Sequence, residues 1–314
     1  MARSKWRSQF DGIVSPAYTV LIPNKDVHAP FFGAMFKRHM MIQIFEANSQ
    51  GLTSDTWNLK YRELKHIGVS APSFQEQVAI SILLQKLDNT IALHQRKQSL
   101  LEKLKQGYLQ KLFPQKGQRQ PELRFSGFTD DWEQRKLGNI TESFSGGTPS
   151  VTNSAFYGGA IPFIRSAEIH SDTTELSITE EAIKSSSAKM VHKGDILYAL
   201  YGATSGQTDL SKIDGAINQA ILALRPTKNV HSEYLVQWLA KEKETIISRY
   251  LQGGQGNLSA SIVKQLIIPM SVNELENKAI GNLFQHLDDV IALHQQEIDR
   301  LQQLKQGYLQ KMFV

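Results

Sequence analysis

Residues Glu76–Phe113 recur as Glu276–Phe313, 200 residues further on, with 22 of 38 positions identical. Both copies contain the runs IALHQ (91–95, 291–295) and LKQGYLQK (104–111, 304–311), so the identity extends to polar residues that packing alone does not dictate. An internal repeat of this kind sets the architecture before anything else does. In the first copy Ile80, Leu84, Leu87, Ile91, His94, Gln98, Leu101, Lys105, Tyr108 and Leu112 alternate spacings of four and three. The second copy repeats this with Ile280, Phe284, Leu287, Ile291, His294, Ile298, Leu301, Lys305, Tyr308 and Met312. That is a heptad seam with polar interruptions in matching places. A rod of this length, about 57 Å at about 1.5 Å per residue, is too long to hide its stripe against a small domain. The pattern therefore predicts two long antiparallel helices forming a coiled coil, with Leu87, Ile91, Leu101, Tyr108, Leu287, Ile291, Leu301 and Tyr308 in the seam.

Two features of the helices are open to more than one reading. Gly107 and Gly307 each cost a helix about 1 kcal/mol relative to alanine; their matched placement fits either a close backbone crossing or a fraying last turn. His94 and His294 fit metal ligands or polar residues that set the register, and no Cys or carboxylate stands at ligand spacing to favour the first.

The globular parts repeat as well, at an offset of 203. Asp11–Pro23 with Val27-His28 corresponds to Asp214–Pro226 with Val230-His231. Each segment reads as a turn, a β-strand, a proline stop and an amphipathic helix, Phe31–Glu46 or Tyr234–Tyr250. Gly-rich turns come next at 49–51 and 253–256, then a short strand ending at Pro72 or Pro269, then the long helix. Ahead of Asp214 the second unit has much more: a strand within Phe125–Ile140, a strand Ala160–Arg165 and a turn-strand Lys193–Leu200. Roughly a hundred residues of this kind have no counterpart in the first unit. Short strands with Gly-rich turns point to an α+β protein: mixed α/β globular domains, not a parallel Rossmann sheet, joined by the helical pair. The segmentation is 1–75 for a partial first domain, 76–113 for the first long helix, 114–275 for the second domain and 276–314 for the second long helix.

Composition bounds the partners. The chain has no cysteine, which excludes disulfides and thiolate metal sites and fits a cytoplasmic protein. No apolar run is long enough to span a membrane. Net charge is +5, but residues 1–75 hold 9 basic and 5 acidic side chains while residues 115–275 hold 16 and 17. The basic balance is compatible with nucleic acid without requiring it.

The order of certain runs is more specific. PELRFSGFTDDWEQRKLGNI (121–140), SGGTPS (145–150), GAIPFIRSAEI (159–169), HKGDILYALYGATSG (192–206), NQAILALRP (218–226) and the twin helices together resemble the specificity (S) subunit of type I restriction–modification systems. The resemblance covers essentially the whole chain, with the first target-recognition domain shortened at its N-terminal side. It implies a non-catalytic subunit that reads one half of a bipartite site on double-stranded DNA, with the helices fixing the spacing. It further implies docking of methyltransferase (M) subunits and, through them, motor–nuclease (R) subunits. No cofactor is implied for this chain; S-adenosylmethionine, ATP and Mg belong to the partners. A shortened subunit also fits a silent-cassette product, binding M subunits or homodimerising without full site recognition.

A search for catalytic chemistry returns little. There is no G-x-x-x-x-G-K-[ST] loop and no Asn-Pro-Pro-aromatic run. Asp55 with Glu63-Leu64-Lys65 faintly resembles a nuclease pattern, and an E-x-K triplet is common by chance. Groove reading needs side chains matched to base edges. Within the resembling domain, loop position nominates Thr148, Ser150, Arg165, Ser166, Lys189, Tyr201, Thr204, Ser205, Gln207 and Lys212, each equally readable as a solvated loop residue. Asn218 and Gln219 are expected to form structural hydrogen bonds at the start of a strand, and Phe156 and Tyr157 to be core aromatics.

Overall fold

The computed structural model describes residues 12–15, 18–51, 58–115, 117–250 and 257–313. Its helices are α1 (Ala29–Met35), α2 (His39–Ala47), α3 (Tyr61–Leu64), α4 (Phe74–Lys111), α5 (Leu137–Ile140), α6 (Glu180–Ser185), α7 (Ser232–Tyr250), α8 (Ala260–Lys264) and α9 (Glu274–Lys311). The strands are β1 (Trp132–Lys136), β2 (Thr141–Ser145), β3 (Tyr157–Ile164), β4 (Ser177–Ile178), β5 (Lys189–Val191), β6 (Ile196–Ala199), β7 (Thr208–Leu210), β8 (Gly215–Ile217), β9 (Ile221–Pro226) and β10 (Ile267–Ser271). Two compact units result, residues 1–100 with 291–314, and residues 101–290. Each long helix therefore gives one part of its length to each unit.

In the first unit the N-terminal part of α4 lies beside the C-terminal part of α9. Leu87 and Ile91 pack with Ile298 and Leu301, and Tyr308 lies against them. Lys305 is bonded to Asp88, the two imidazoles of His94 and His294 meet Nδ1 to Nδ1 at 2.9 Å, and Gln98 donates to Gln295 at 3.0 Å. From Asp88–Lys305 to His94–His294 the partner's number falls along α9 as it rises along α4, so the pairing is antiparallel. The histidines act on each other, one ring nitrogen donating and the other accepting, as residues that hold a register do. Phe31, Met35, Met41 and Phe45 complete the unit's core against Ile80, Leu84 and Phe313.

A single helix is expected over Phe31–Glu46, but α1 and α2 are separate. Arg38 sits in extended backbone at the break, donates to the Phe313 carbonyl and lies 5.3 Å from that residue's ring centroid. A tertiary contact thus outweighs the helix propensity of the Lys37-Arg38 step. Two predicted strands are also absent. Among the described residues, 18–23 and the segment before Pro72 form no strand. A strand is stabilised by its neighbours, and the counterparts of those neighbours all lie in the second unit. Asp55 and the 253–256 turn fall outside the described residues.

The second unit repeats the helix pairing. Lys105 bonds both carboxylate oxygens of Asp288, at 2.6 and 2.7 Å, reproducing Lys305–Asp88 at the 200-residue offset. Leu112, Phe113, Ile280, Phe284 and Leu287 join Tyr234, Leu235 and Leu239 of α7 in the largest core, with Leu101 and Tyr108 partly buried against it. Ile291, expected in the seam, is only half-buried. Strands β2-β9-β6-β7 form one antiparallel sheet; β4-β3-β8-β5 form a second, mixed one in which only β3–β8 is parallel; β1 pairs with β10. The expectation of mixed rather than Rossmann sheets holds. Arg124 is forked onto the fully buried Glu276 at 2.7 Å, clamping the 121–125 segment to the start of α9.

The close-crossing reading of the matched glycines does not survive. A Cβ at Gly107 or Gly307 would meet nothing within 4 Å, and both helices run on through Lys111 or Lys311. Alanine at position 107 is thus expected to raise stability by up to about 1 kcal/mol. Leu87→Ala should lower it by about 2–5 kcal/mol; urea unfolding of the two variants reads both signs.

Asp195, buried just ahead of β6, is held by Arg225 at 2.6 and 2.9 Å and by the His192 amide at 2.9 Å. Burial pushes its carboxyl up, but the guanidinium and the amide outweigh this, leaving it below the usual aspartate range. Stability from this group is therefore present above an unfolded aspartate's pKa of about 4 and lost as pH falls through the lower folded value. Arg225→Met should cost stability at pH 7, and the deficit should narrow towards pH 3 in urea titrations.

Candidate nucleic-acid interface

The nominated side chains fall into three groups, all within the second unit. The first is built on the loop that leaves β2. A Cβ on Gly146 would stand 1.8 Å from the Ile217 carbonyl oxygen, and one on Gly147 would stand 2.6 Å from Ser187 Cβ. Only glycine lets this loop lie flat against β8 and the approach to β5. The Gly-Gly pair is explained by that fit. Beyond it Thr148 donates to Gln219 Oε1 at 2.8 Å, Ser150 bonds Thr152 at 2.8 Å, and Tyr157 donates its hydroxyl to the Pro149 carbonyl at 2.8 Å. Lys189 begins β5 opposite Ile217. Thr148, Ser150 and Lys189 are exposed around one end of β8.

Arg165, Ser166 and Lys212 form the second group. Arg165 directly follows β3 and its guanidinium is forked onto Glu168 at 3.0 and 3.1 Å, with Glu175 at 2.5 Å. Those carboxylates raise its pKa, the Glu168 bonds most. On Glu168, burial pushes upward, yet the guanidinium and two backbone amides prevail and hold it below its ordinary value. Lys212 donates to the His170 carbonyl at 2.6 Å, while the His170 ring meets Asp209 at 2.9 Å. Arg165 must surrender part of this clamp before it can fork onto any other acceptor.

The third group is the turn Tyr201–Gln207. Thr204 donates to the Tyr201 carbonyl at 3.2 Å, and Ser205 is buried with its hydroxyl bonded to the Leu200 carbonyl at 3.3 Å. Gly206, at φ +78, lies against Lys243 and Ile247 of α7. Tyr201 and Gln207 are half-exposed. This group faces α7, and among the described residues no hydrogen bond joins it to the other two.

Asn218 accepts from the Ala220 amide at 3.0 Å, as a structural residue does. Gln219 is exposed between β8 and β9 rather than within a strand, and joins the Thr148 group. Phe156 and Tyr157 are partly buried against a small core around Phe163 and Ile178. Sequence reasoning missed the carboxylates that hold Arg165. Glu168, three residues on, stands at a capping spacing that the sequence makes readable; Glu175 and the His170–Asp209–Lys212 cluster carry no local signal. Glu63, the nuclease candidate, bonds Arg62 at 2.6 Å on a single turn of helix.

Against known proteins, the profile of the type I restriction modification DNA specificity domain matches residues 5–103 and 129–303. The putative type I restriction enzyme MjaX specificity subunit of Methanocaldococcus jannaschii is 23% identical over 297 residues, covering 91% of this chain and 68% of its own length. The MjaIX specificity subunit of the same organism is 29% identical over 195 residues, 59% of this chain and 44% of that protein. The chain thus spans less than half of one such relative and about two thirds of the other. The S subunit from M. genitalium superposes with a TM-score of 0.68 over 92% of this chain and 73% of that one, at 17% identity, a likeness of fold. With two profile matches that together take in most of its residues, this chain belongs to the type I restriction–modification DNA specificity family.

Proposed function

We propose that the chain acts as a non-catalytic DNA sequence-specificity subunit of a type I restriction–modification complex. It reads one half of a bipartite site with the domain in residues 114–275 and docks methyltransferase subunits. The observation that carries this reading is the asymmetry between the units: one complete set of sheets bearing polar loops, alongside helices repeated in full. Methyl transfer, ATP-driven motion and their S-adenosylmethionine, ATP and Mg reside on the M and R partners, in the cytoplasm. Among the described residues no helix is long and apolar enough to cross a membrane.

DNA contact falls to the first two loop groups. Lys189 and Lys212, both exposed, supply phosphate contacts; Thr148, Ser150 and Ser166 suit base edges or phosphates. Alanine at Lys189 or Lys212 is expected to weaken binding across sequences and to cut the salt slope by about one unit each. Fluorescence titrations of the M-loaded protein at several salt concentrations measure this. Arg165→Ala should relax a guanine preference in one half of the methylated motif, at about 1–3 kcal/mol. Methylome sequencing of cells carrying the variant reads it directly, and an unchanged motif would remove Arg165 from base recognition.

Docking of M subunits falls to the helices. Leu93 and Leu293, Leu104 and Leu304, and Gly107 and Gly307 are identical across the repeat, yet the leucines are exposed and the glycines face open space. Nothing among the described residues demands that identity; two copies of one partner would. Leu93→Glu and Leu293→Glu should each remove one M subunit from the complex, counted by native mass spectrometry, with helix content unchanged. Full loading of the double variant would refute the assignment.

A second reading, an M-binding or homodimerising protein that recognises no full site, is favoured by the exposed apolar residues Val20 and Ile22 in the first unit. It predicts M binding with no salt-sensitive DNA affinity.

A further inference from the structure

Two side-chain amides stand next to each other where β8 gives way to β9, and in both the oxygen is engaged. Asn218 Oδ1 accepts from the Ala220 amide at 3.0 Å. Gln219 Oε1 accepts from the Thr148 hydroxyl at 2.8 Å. Among the described residues nothing bonds Asn218 Nδ2 or Gln219 Nε2, and Gln219 is exposed while Asn218 is half-exposed. A carboxamide carries two N–H donors on its nitrogen and its acceptor sites on its oxygen. With both oxygens tied to the chain, this turn offers chiefly donors to whatever approaches it.

The turn is also held in place. The Ile221 amide donates to the Asn218 carbonyl at 3.4 Å, and the Leu200 amide donates to the Ala220 carbonyl at 2.8 Å, pinning the turn beside the end of β6. Thr148 is fixed in its turn by the loop that Gly146 and Gly147 seat on Ile217 and Ser187. Lys189 pairs with Ile217 across β5 and β8, one residue ahead of Asn218. It is exposed, and among the described residues no carboxylate meets it. Donors held in position before binding lose little freedom on binding.

We propose that Asn218, Gln219 and Lys189 form a cradle for a phosphodiester group of the DNA backbone at the end of β8, with Thr148 as its positioning residue. This rests on the reading that the domain meets DNA, and assigns groups that hold the duplex without reading its sequence. Bidentate reading of adenine by a glutamine uses the acceptor and the donor of its amide together; here Thr148 has already engaged the acceptor. The unbridged oxygens of a phosphodiester only accept, and they are the same at every base pair, so amide N–H groups beside an ammonium match them. Arg165 stands in the opposite setting, met by two carboxylates that disfavour a phosphate.

The test titrates the M-loaded protein by fluorescence anisotropy against two duplexes, one carrying the motif methylated by the unsubstituted protein and one lacking it. Gln219→Ala should weaken binding to both duplexes by the same factor, about two- to tenfold, with the salt slope unchanged because a neutral donor displaces no counterion. Lys189→Ala should lower that slope by about one unit. Asn218→Asp and Gln219→Glu keep the oxygens that Ala220 and Thr148 use while removing the free donors, so they isolate those donors from the fold; both should weaken both duplexes. Thr148→Val should reproduce part of the Gln219→Ala loss, and Thr148→Ser should restore it. The methylated motif should be the same in every variant. The proposal is overturned by a changed base in the motif of Gln219→Ala, which would make this residue a base reader. A loss confined to the motif duplex, or full affinity in Gln219→Ala and Gln219→Glu, would overturn it as well, and full affinity in Thr148→Val would remove the positioning role. Failure of the underlying reading looks different: the unsubstituted protein itself would show no salt-sensitive affinity for either duplex, and both readings would fall.

Discussion

A 38-residue helix with one apolar stripe cannot stay in water alone, and burial of that stripe organises both units. Each unit solves the problem with the same chemistry, leucine and isoleucine knobs sealed by one lysine–aspartate bond, Lys305–Asp88 in one and Lys105–Asp288 in the other. Exposed ion pairs contribute little, typically below about 1 kcal/mol. Their value here is positional: with His94 against His294 they reject slipped registers that would still bury leucine. The globular parts then attach to helices whose pairing is already determined.

Most of the helical design is legible in the sequence because its determinants are local and periodic. Heptad spacing marks the seam, and the 200-residue identity marks which stretch pairs with which. The expectations that fail are those whose determinants are distant. Tyr18–Pro23 carries the same strand-like pattern as β9, yet only β9 has β2 and β6 beside it. The interruption between α1 and α2 depends on Arg38 reaching Phe313, 275 residues away in sequence. No window of the chain holds that information.

Loop chemistry is partly legible. The run SGGTPS is legible only as one of the runs that carry the resemblance; the backbone of Ile217 and the side chain of Ser187 supply the steric reason for its glycines. Arg165 is nominated by its type and its loop position, and the structure adds what type cannot convey, namely two acidic partners. Ser205 is nominated on the same grounds, but it is turned into the interior. Sequence indicates which residues have suitable donors; only the folded backbone shows which donors are already engaged.

The seating of Gly146 and Gly147 has an evolutionary corollary. Because the backbone there is fixed by contact with the sheet, the neighbouring positions 148 and 150 can exchange one side chain for another without any shift of the scaffold. Variation at that rim is decoupled from foldability, so a lineage can try new chemistries there at little risk to the protein that carries them.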